Sequence, residues 1–373
     1  MQRRGRNMKL VYVIPTLILA VIIAGLLTFN VKKKNTDITR EKTKVAMIMN
    51  GSIEDRSWGQ SHYEGMRKTA KELNLDVMYR ERIPADRTSE EVMEGLIAAG
   101  VKIIVANSFQ LGKYVQEVAI KHPDVKFFHA SGVKYSRNVS TYFGRIYQMR
   151  YLSGIVAGMQ TKTGVIGYVA AFDIPEVIRG INAFTLGVKK ANPDANVVVR
   201  WTKSWNEDKA CAKATRELLA RNDSIDVLTL HTDSHEPMRI ADSLGLWIVG
   251  YNLDNASVYP KHFLTAPVWR WENFYTPHIL EVLKKKFVGK NYWSGLNSGI
   301  VDLAPFTEHV DPKAIELVAS EREKIQDGSF DVFYGPIEDN VGTIRINEGE
   351  SMSDSDMLNN FNWFVKGVKI DEE

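Results

Sequence analysis

The sequence holds a single cysteine, Cys211, in 373 residues. One thiol excludes an internal disulfide and a thiolate-rich zinc site. Its place deep in the chain also excludes a lipidated cysteine at the end of a leader. Other signatures are missing too. There is no Gly-x-Ser-x-Gly elbow, no His-Glu-x-x-His and no phosphate loop ending in Gly-Lys-Ser/Thr, so the commonest hydrolase and nucleotide-binding chemistries have no foothold. The glycines of "TKTGVIG" lack dinucleotide spacing ahead of a helix, and no cofactor is expected. In "HTDSH" the donors His231, Asp233 and His235 lie close together. No further cluster completes a site at ligand spacing, so no metal is expected. No enzyme activity is expected either.

A strong charge of one sign is lacking once the chain is divided. The formal net charge is +3, but residues 1–44 hold 10 of the 48 Lys+Arg and only 2 of the 45 Asp+Glu. The remainder has 38 basic against 43 acidic residues, a net charge of −5. A nucleic-acid partner is therefore disfavoured. The basic start frames Leu10–Phe29, an uncharged apolar run of about the 20 residues that a membrane-crossing helix needs. Arg3, Arg4, Arg6 and Lys9 before it, and Lys32, Lys33 and Lys34 after it, are the flanks of a membrane segment or of a signal peptide. Residues 1–43 thus read as anchor or signal plus linker, and residues 10–29 would hold the protein to a cell membrane.

From residue 44 onward, apolar runs of strand length alternate with helical periodicity. "VAMIM", "LDVMY", "KIIVA" and "KFFHAS" read as strands, with helices at 58–73, 89–99 and "VQEVAIKH". A second series starts at "GVIGYVAA" and runs through "NVVVRW", "DVLTLHT" and "WIVGYN", with helices near 174–191 and 207–220. Such alternation predicts an α/β fold of two lobes, each a parallel sheet flanked by helices. The lobes are expected at 44–160 and 161–265, with 266–373 crossing between them and completing both. Strands without matching helices, in "NVSTYFGRIYQMRYLSG", "HFLTAPVWRW" and "SGIVDLAPFTEHV", are the expected crossings.

In open parallel sheets a ligand lies beyond the carboxyl ends of the strands. The residues that follow the strands here include "GSIEDRSW", "NSFQ", "AAFDIPE", "TKSW", "HTDSHEP" and "YNLDN". They place Ser57 and the flat faces of Trp58, Phe109, Phe172 and Trp205 at one edge, with Asp55, Asp173, Asp233 and Asp254 as acceptors. Stacking faces with convergent carboxylates suit a planar small molecule that donates hydrogen bonds. Packing explains any single aromatic equally well. Capping explains Asp55 and Asp173, which precede strong helices, better than Asp233 and Asp254.

Several long segments, in order, resemble the basic membrane protein group of solute-binding proteins that feed ABC importers. They are "DRSWGQSHYEG", "FGRIYQMRYLSGIVAG", "IGYVAAFDIPEVIRGINAFTLGV", "HTDS", "IVGYN", "LTAPVWRW", "NYWSGLNSGIVDLAPF" and "FNWFVKGV". The resemblance implies a hinged, periplasmic-binding-type (type I) fold with the ligand between the lobes, and ABC permease subunits as partners. Purine nucleoside receptors of this group carry Phe-Asn where this chain has Trp58 and Gly59. The likeness is stronger to a branch thought to bind free purine bases such as adenine. It implies Trp58 and Trp205 as ring-stacking residues and Asp254 as the family aspartate. Trp269 stands where nucleoside receptors have lysine, which counts against a ribose. The function implied is extracytoplasmic capture of a purine base for import. A nucleoside-binding protein and a ligand-sensing subunit of a membrane signalling system are the alternatives.

Overall fold

Val45–Ile48 is an apolar run without a polar break, and it forms a strand that is buried throughout. Fully buried strands of this kind need helices on both sides, which the chain supplies between most successive strands. A computed structural model describes residues 42–371. The expected membrane segment Leu10–Phe29 lies outside the described residues. Among those described, no helix is long and apolar enough to cross a membrane.

The first lobe runs β1 (Lys44–Ile48), α1 (Trp58–Leu73), β2 (Asp76–Arg80), α2 (Arg87–Ala98), β3 (Ile103–Ala106), α3 (Gly112–Lys121), β4 (Lys126–Ala130) and β5 (Val139–Gly144). Helix α4 (Tyr147–Gln160) leads to the second lobe. There the order is β6 (Val165–Ala170), α5 (Pro175–Ala191), β7 (Asn196–Trp201), α6 (Asp208–Arg221), β8 (Val227–His231), α7 (Glu236–Ser243), β9 (Trp247–Val249) and β10 (Phe263–Thr265). Both sheets are parallel and share one strand order, β2-β1-β3-β4-β5 and β7-β6-β8-β9-β10. The order turns back on itself between β1 and β3, and again between β6 and β8. These are the switch points at which such sheets open a crevice.

Each sheet takes its sixth strand from the last third of the chain. Strand β11 (Pro267–Trp269) and helix α8 (Glu272–Leu283) lead to β12 (Asn291–Ser294), which pairs with β5. Strand β13 (Val301–Leu303) then pairs antiparallel with β11. After α9 (Pro312–Asp327), the short pair β14 (Ile337–Glu338) and β15 (Ile344–Ile346) and helix α10 (Asp354–Asn359), strand β16 (Val368–Ile370) joins the edge of β7. The chain therefore passes between the two sheets three times, between β5 and β6, between β10 and β12, and between β12 and β16. Three strands of connection allow the lobes to hinge without letting them separate.

Helix α4 forms the first crossing. Helices α4 and α5 pack backbone to backbone through Gly154 and Gly187. A Cβ at Gly154 would lie 2.1 Å from the Phe184 carbonyl oxygen, and one at Gly187 would lie 1.9 Å from that of Tyr151. No other residue type fits this approach. The second crossing brings α8 against α1, where the hydroxyls of Thr69 and Thr276 are 2.9 Å apart.

Candidate functional site

The loop from β1 to α1 reaches the opposite lobe. Asp55 organises it: Oδ1 accepts from the N–H groups of Ser57 (2.8 Å) and Gln60 (2.9 Å), and Oδ2 accepts from that of Gly59 (2.8 Å). Three of the orphan donors at the start of α1 are thereby satisfied, so Asp55 has the capping role. Burial raises its pKa, while those same backbone bonds pull it back. Arg56, in left-handed backbone conformation, points its carbonyl across the cleft. That oxygen accepts from His235 Nε2 (3.0 Å) and Asn255 Nδ2 (3.4 Å) of the second lobe.

Ser57 makes the central bridge. Its Oγ accepts from Asn252 Nδ2 (2.9 Å) and faces Asp233 Oδ1 at 3.4 Å. Asn252 Nδ2 is also 3.0 Å from Asp233 Oδ1, and Asn252 Oδ1 accepts from Trp269 Nε1 at 2.8 Å. Asn252 is buried and sits at φ 69, a left-handed position that asparagine tolerates better than most residues. One amide thus ties the β1 loop, the β8 loop and the β11 crossing together. Burial holds the Asp233 carboxyl well above the usual carboxylate range, and the charges of Asp55 and Glu176 add to the effect. Its bonds with Ser57 and Asn252 both fall on Oδ1.

The aromatic faces divide between the lobes. Trp58 is half-buried, not exposed, and its Nε1 donates to the Asn107 carbonyl at 2.6 Å. Its ring meets Trp269 (5.6 Å, 83°), Trp271 (5.4 Å, 88°) and His62 (4.4 Å, 75°) edge to face. Trp269 itself is buried and stacks on Trp271, with centroids 4.4 Å apart and planes 12° apart. Its one donor is consumed by Asn252. In the second lobe Trp205 lies beside Phe172 (5.7 Å) and His231 (6.1 Å), and its carbonyl accepts from the Asp233 N–H at 2.7 Å. Asp233 is therefore flanked by the Ser57-Trp58 loop through its side chain and by the Trp205 loop through its backbone.

Three other residues singled out from the sequence stand apart from this junction. Asp254 is exposed, and its Oδ1 accepts from the Ala256 N–H two residues on (2.9 Å), a turn within its own loop. Asp173 is exposed and pairs with Lys203 at 3.2 Å. Phe109, in a short 3-10 turn after β3, is 58% exposed. Asn252, Asn107 and Arg150 were not singled out from the sequence, and His231 was weighed there only as a metal donor. Asn107 follows β3 at the switch point and is 1% exposed, and its side-chain Oδ1 and Nδ2 have no partner among the described residues. Its place directly after a buried strand was the available signal. Buried amides are normally bonded, so an unpartnered one at the switch point is unusual.

The family model for the PnrA-like ABC transporter substrate-binding proteins, Bmp, matches residues 42–329, so β14 to β16 lie beyond it. A purine-binding protein of Brucella abortus (strain 2308) is 33% identical over 331 residues, covering 88% of this chain and 93% of that protein. A putative ABC transporter glucose-binding protein of Haloferax volcanii is 31% identical over 331 residues, covering 88% of this chain and 81% of the relative. Among solved structures, an ABC transporter solute-binding protein from Conexibacter woesei superimposes with a TM-score of 0.65 at 22% identity, over 78% of this chain and 98% of that one. That last likeness concerns the fold.

Proposed function

The chain belongs to the Bmp family of PnrA-like ABC transporter substrate-binding proteins, and from that premise we propose that its ligand is a purine nucleobase. Members of this class are not enzymes. They bind a small molecule outside the cytoplasm and pair with permease subunits, so the binding step is capture by two lobes that close on the ligand. The observation that carries the purine reading is the junction around Asp233. A carboxyl group held between lobes and flanked by tryptophan-bearing loops from each offers acceptor oxygens between flat faces, which matches a flat heterocycle that donates N–H bonds. The purine-binding relative at 33% identity supports it.

Resemblance favours adenine as the base, and a free base over its nucleoside. Trp269 is stacked and its N–H is engaged, so it has no donor to give to a ribose hydroxyl. A hydroxyl buried there without a partner costs roughly 1–3 kcal/mol. Ser57, Trp58, Trp205 and Asp233 are the proposed contacts, with Phe172 beside Trp205. Asp55 supports the loop from behind, and Trp269 closes the wall. Phe109 and Asp254 have a place only at the rim.

The glucose-binding relative favours a second reading, a sugar, because aromatic faces and carboxylates also suit a pyranose. A thermal-shift screen of the full chain separates the two. Purine bases should raise the melting temperature and hexoses should not, since a ligand at a hundredfold excess over its Kd adds about 2.7 kcal/mol of apparent stability. Stabilisation by glucose alone would replace the purine reading. We further propose that Leu10–Phe29 anchors the protein uncleaved. Membrane fractionation followed by N-terminal sequencing should recover the intact start, and a mature chain beginning after Phe29 would remove the anchor.

A further inference from the structure

Arg150 lies wholly buried in α4. Its Nη1 donates to the Leu230 carbonyl at 2.9 Å. The guanidinium carbon sits 3.8 Å from the centre of the Tyr251 ring and 5.6 Å from that of Tyr168. Its Nε and Nη2 have no partner among the described residues. Those two nitrogens form the side edge of the guanidinium, with parallel N–H groups that fit two adjacent acceptors at once. Arginine cannot accept a hydrogen bond, so only an acceptor pair satisfies this edge. A buried charged group left half-bonded is costly and uncommon, which makes the edge a site in search of a partner.

The surroundings connect this edge with the junction described above. Tyr251 precedes Asn252 in sequence and packs 4.7 Å from His231, whose ring is 6.1 Å from Trp205. His231 Nδ1 is 3.1 Å from the Tyr168 hydroxyl, and its Nε2 has no partner among the described residues. Burial, first of all, and then the charges of Arg150 and Arg179 keep the His231 imidazole neutral. Glu176 and Asp233 both act electrostatically on Tyr251. The second lobe therefore presents an acceptor, Asp233, and a two-donor edge, Arg150, around one group of aromatic rings.

We infer that the Nε/Nη2 edge of Arg150 reads two adjacent acceptor atoms of the ligand, which makes the preferred base a 6-oxopurine. The inference rests on the purine reading and goes one step further, to the edge of the ring. In a 6-oxopurine O6 and N7 form such an acceptor pair, and arginine takes it bidentately. Adenine offers N7 next to an amino group, whose N–H bonds would point at the guanidinium. A 6-oxopurine keeps ring N–H donors for Asp233, so both groups of the lobe are served. Resemblance favours adenine; the buried arginine ranks hypoxanthine above it.

The test is calorimetric titration of the full chain with hypoxanthine, adenine and 7-deazahypoxanthine, which lacks the N7 acceptor. Hypoxanthine should bind at least tenfold more tightly than adenine, and the deaza analogue should lose at least tenfold against hypoxanthine. In Arg150→Met and Arg150→Lys, which remove the edge and differ in charge, the deaza penalty should shrink to within about twofold. Should neither variant fold, the comparison of the three ligands on the unaltered chain still decides. Adenine binding as tightly as hypoxanthine, or a deaza penalty that persists without Arg150, would overturn the assignment and leave the purine reading standing. Binding of none of the three would overturn both.

Discussion

Asn252→Ala is expected to destabilise the unliganded protein by about 2–5 kcal/mol. The amide bonds to Ser57 and Asp233 through Nδ2 and to Trp269 through Oδ1, and all of it is buried. Alanine leaves the Trp269 N–H without an acceptor in a closed aromatic wall, and it takes a donor from an Asp233 carboxyl that burial already disfavours as an ion. Each group left unpaired costs roughly 1–3 kcal/mol. The backbone adds to this, because φ 69 suits asparagine or glycine and strains alanine by about 1 kcal/mol. Urea unfolding of the variant should show a lower midpoint with an unchanged slope. Asn252→Gly separates the contributions, since it removes the bonds and keeps the backbone at ease. A change of less than half a kcal/mol in either variant would mean that the amide does not join the lobes.

The second large effect is on affinity. Trp58→Ala should weaken binding of a purine base by roughly 1–3 kcal/mol through lost apolar burial and lost stacking. The surroundings of Trp58 make the loss difficult to recover, because its ring is held edge-on by Trp269, Trp271 and His62 and its Nε1 is tied to Asn107. Trp58→Phe keeps a flat face but loses the bond to Asn107, so it should retain more affinity than alanine. Unchanged affinity in Trp58→Ala, with the fold intact by circular dichroism, would take the residue out of the site.

The lobes were legible because their signal is repetitive. The strands within "KIIVA" and "DVLTLHT", Ile103–Ala106 and Val227–His231, are buried from end to end, as strands covered on both faces must be, and the helices between them carry a period of 3.6. The loops after β1, β6, β7 and β8 could be placed at one edge for the same reason. What the sequence did not reveal was which side chain of each loop turns inward. Asp254 looked like the acceptor after β9, yet the left-handed backbone at Asn252 turns the chain so that Asn252 faces the cleft and Asp254 faces water. A single φ of that sign has no periodic signature. Arg150 was hidden differently, in the run "YQMRYLSGIVAG", where the helical pattern gives no reason to suspect that the charged residue lies fully buried. Trp269 was expected to oppose a ribose, but its bond to Asn252 could not be foreseen, because it depends on β11 and the β9 loop meeting across a crossing of the lobes.

The measurement that bears most directly on the proposed function is a side-by-side calorimetric titration of adenine and adenosine into the full chain, with glucose as a third ligand. The account predicts that the free base binds more tightly than its nucleoside and that glucose gives no heat of binding. Adenosine binding as tightly as adenine or more so would show that the Trp269 wall admits a ribose, and binding of glucose alone would contradict the purine site altogether.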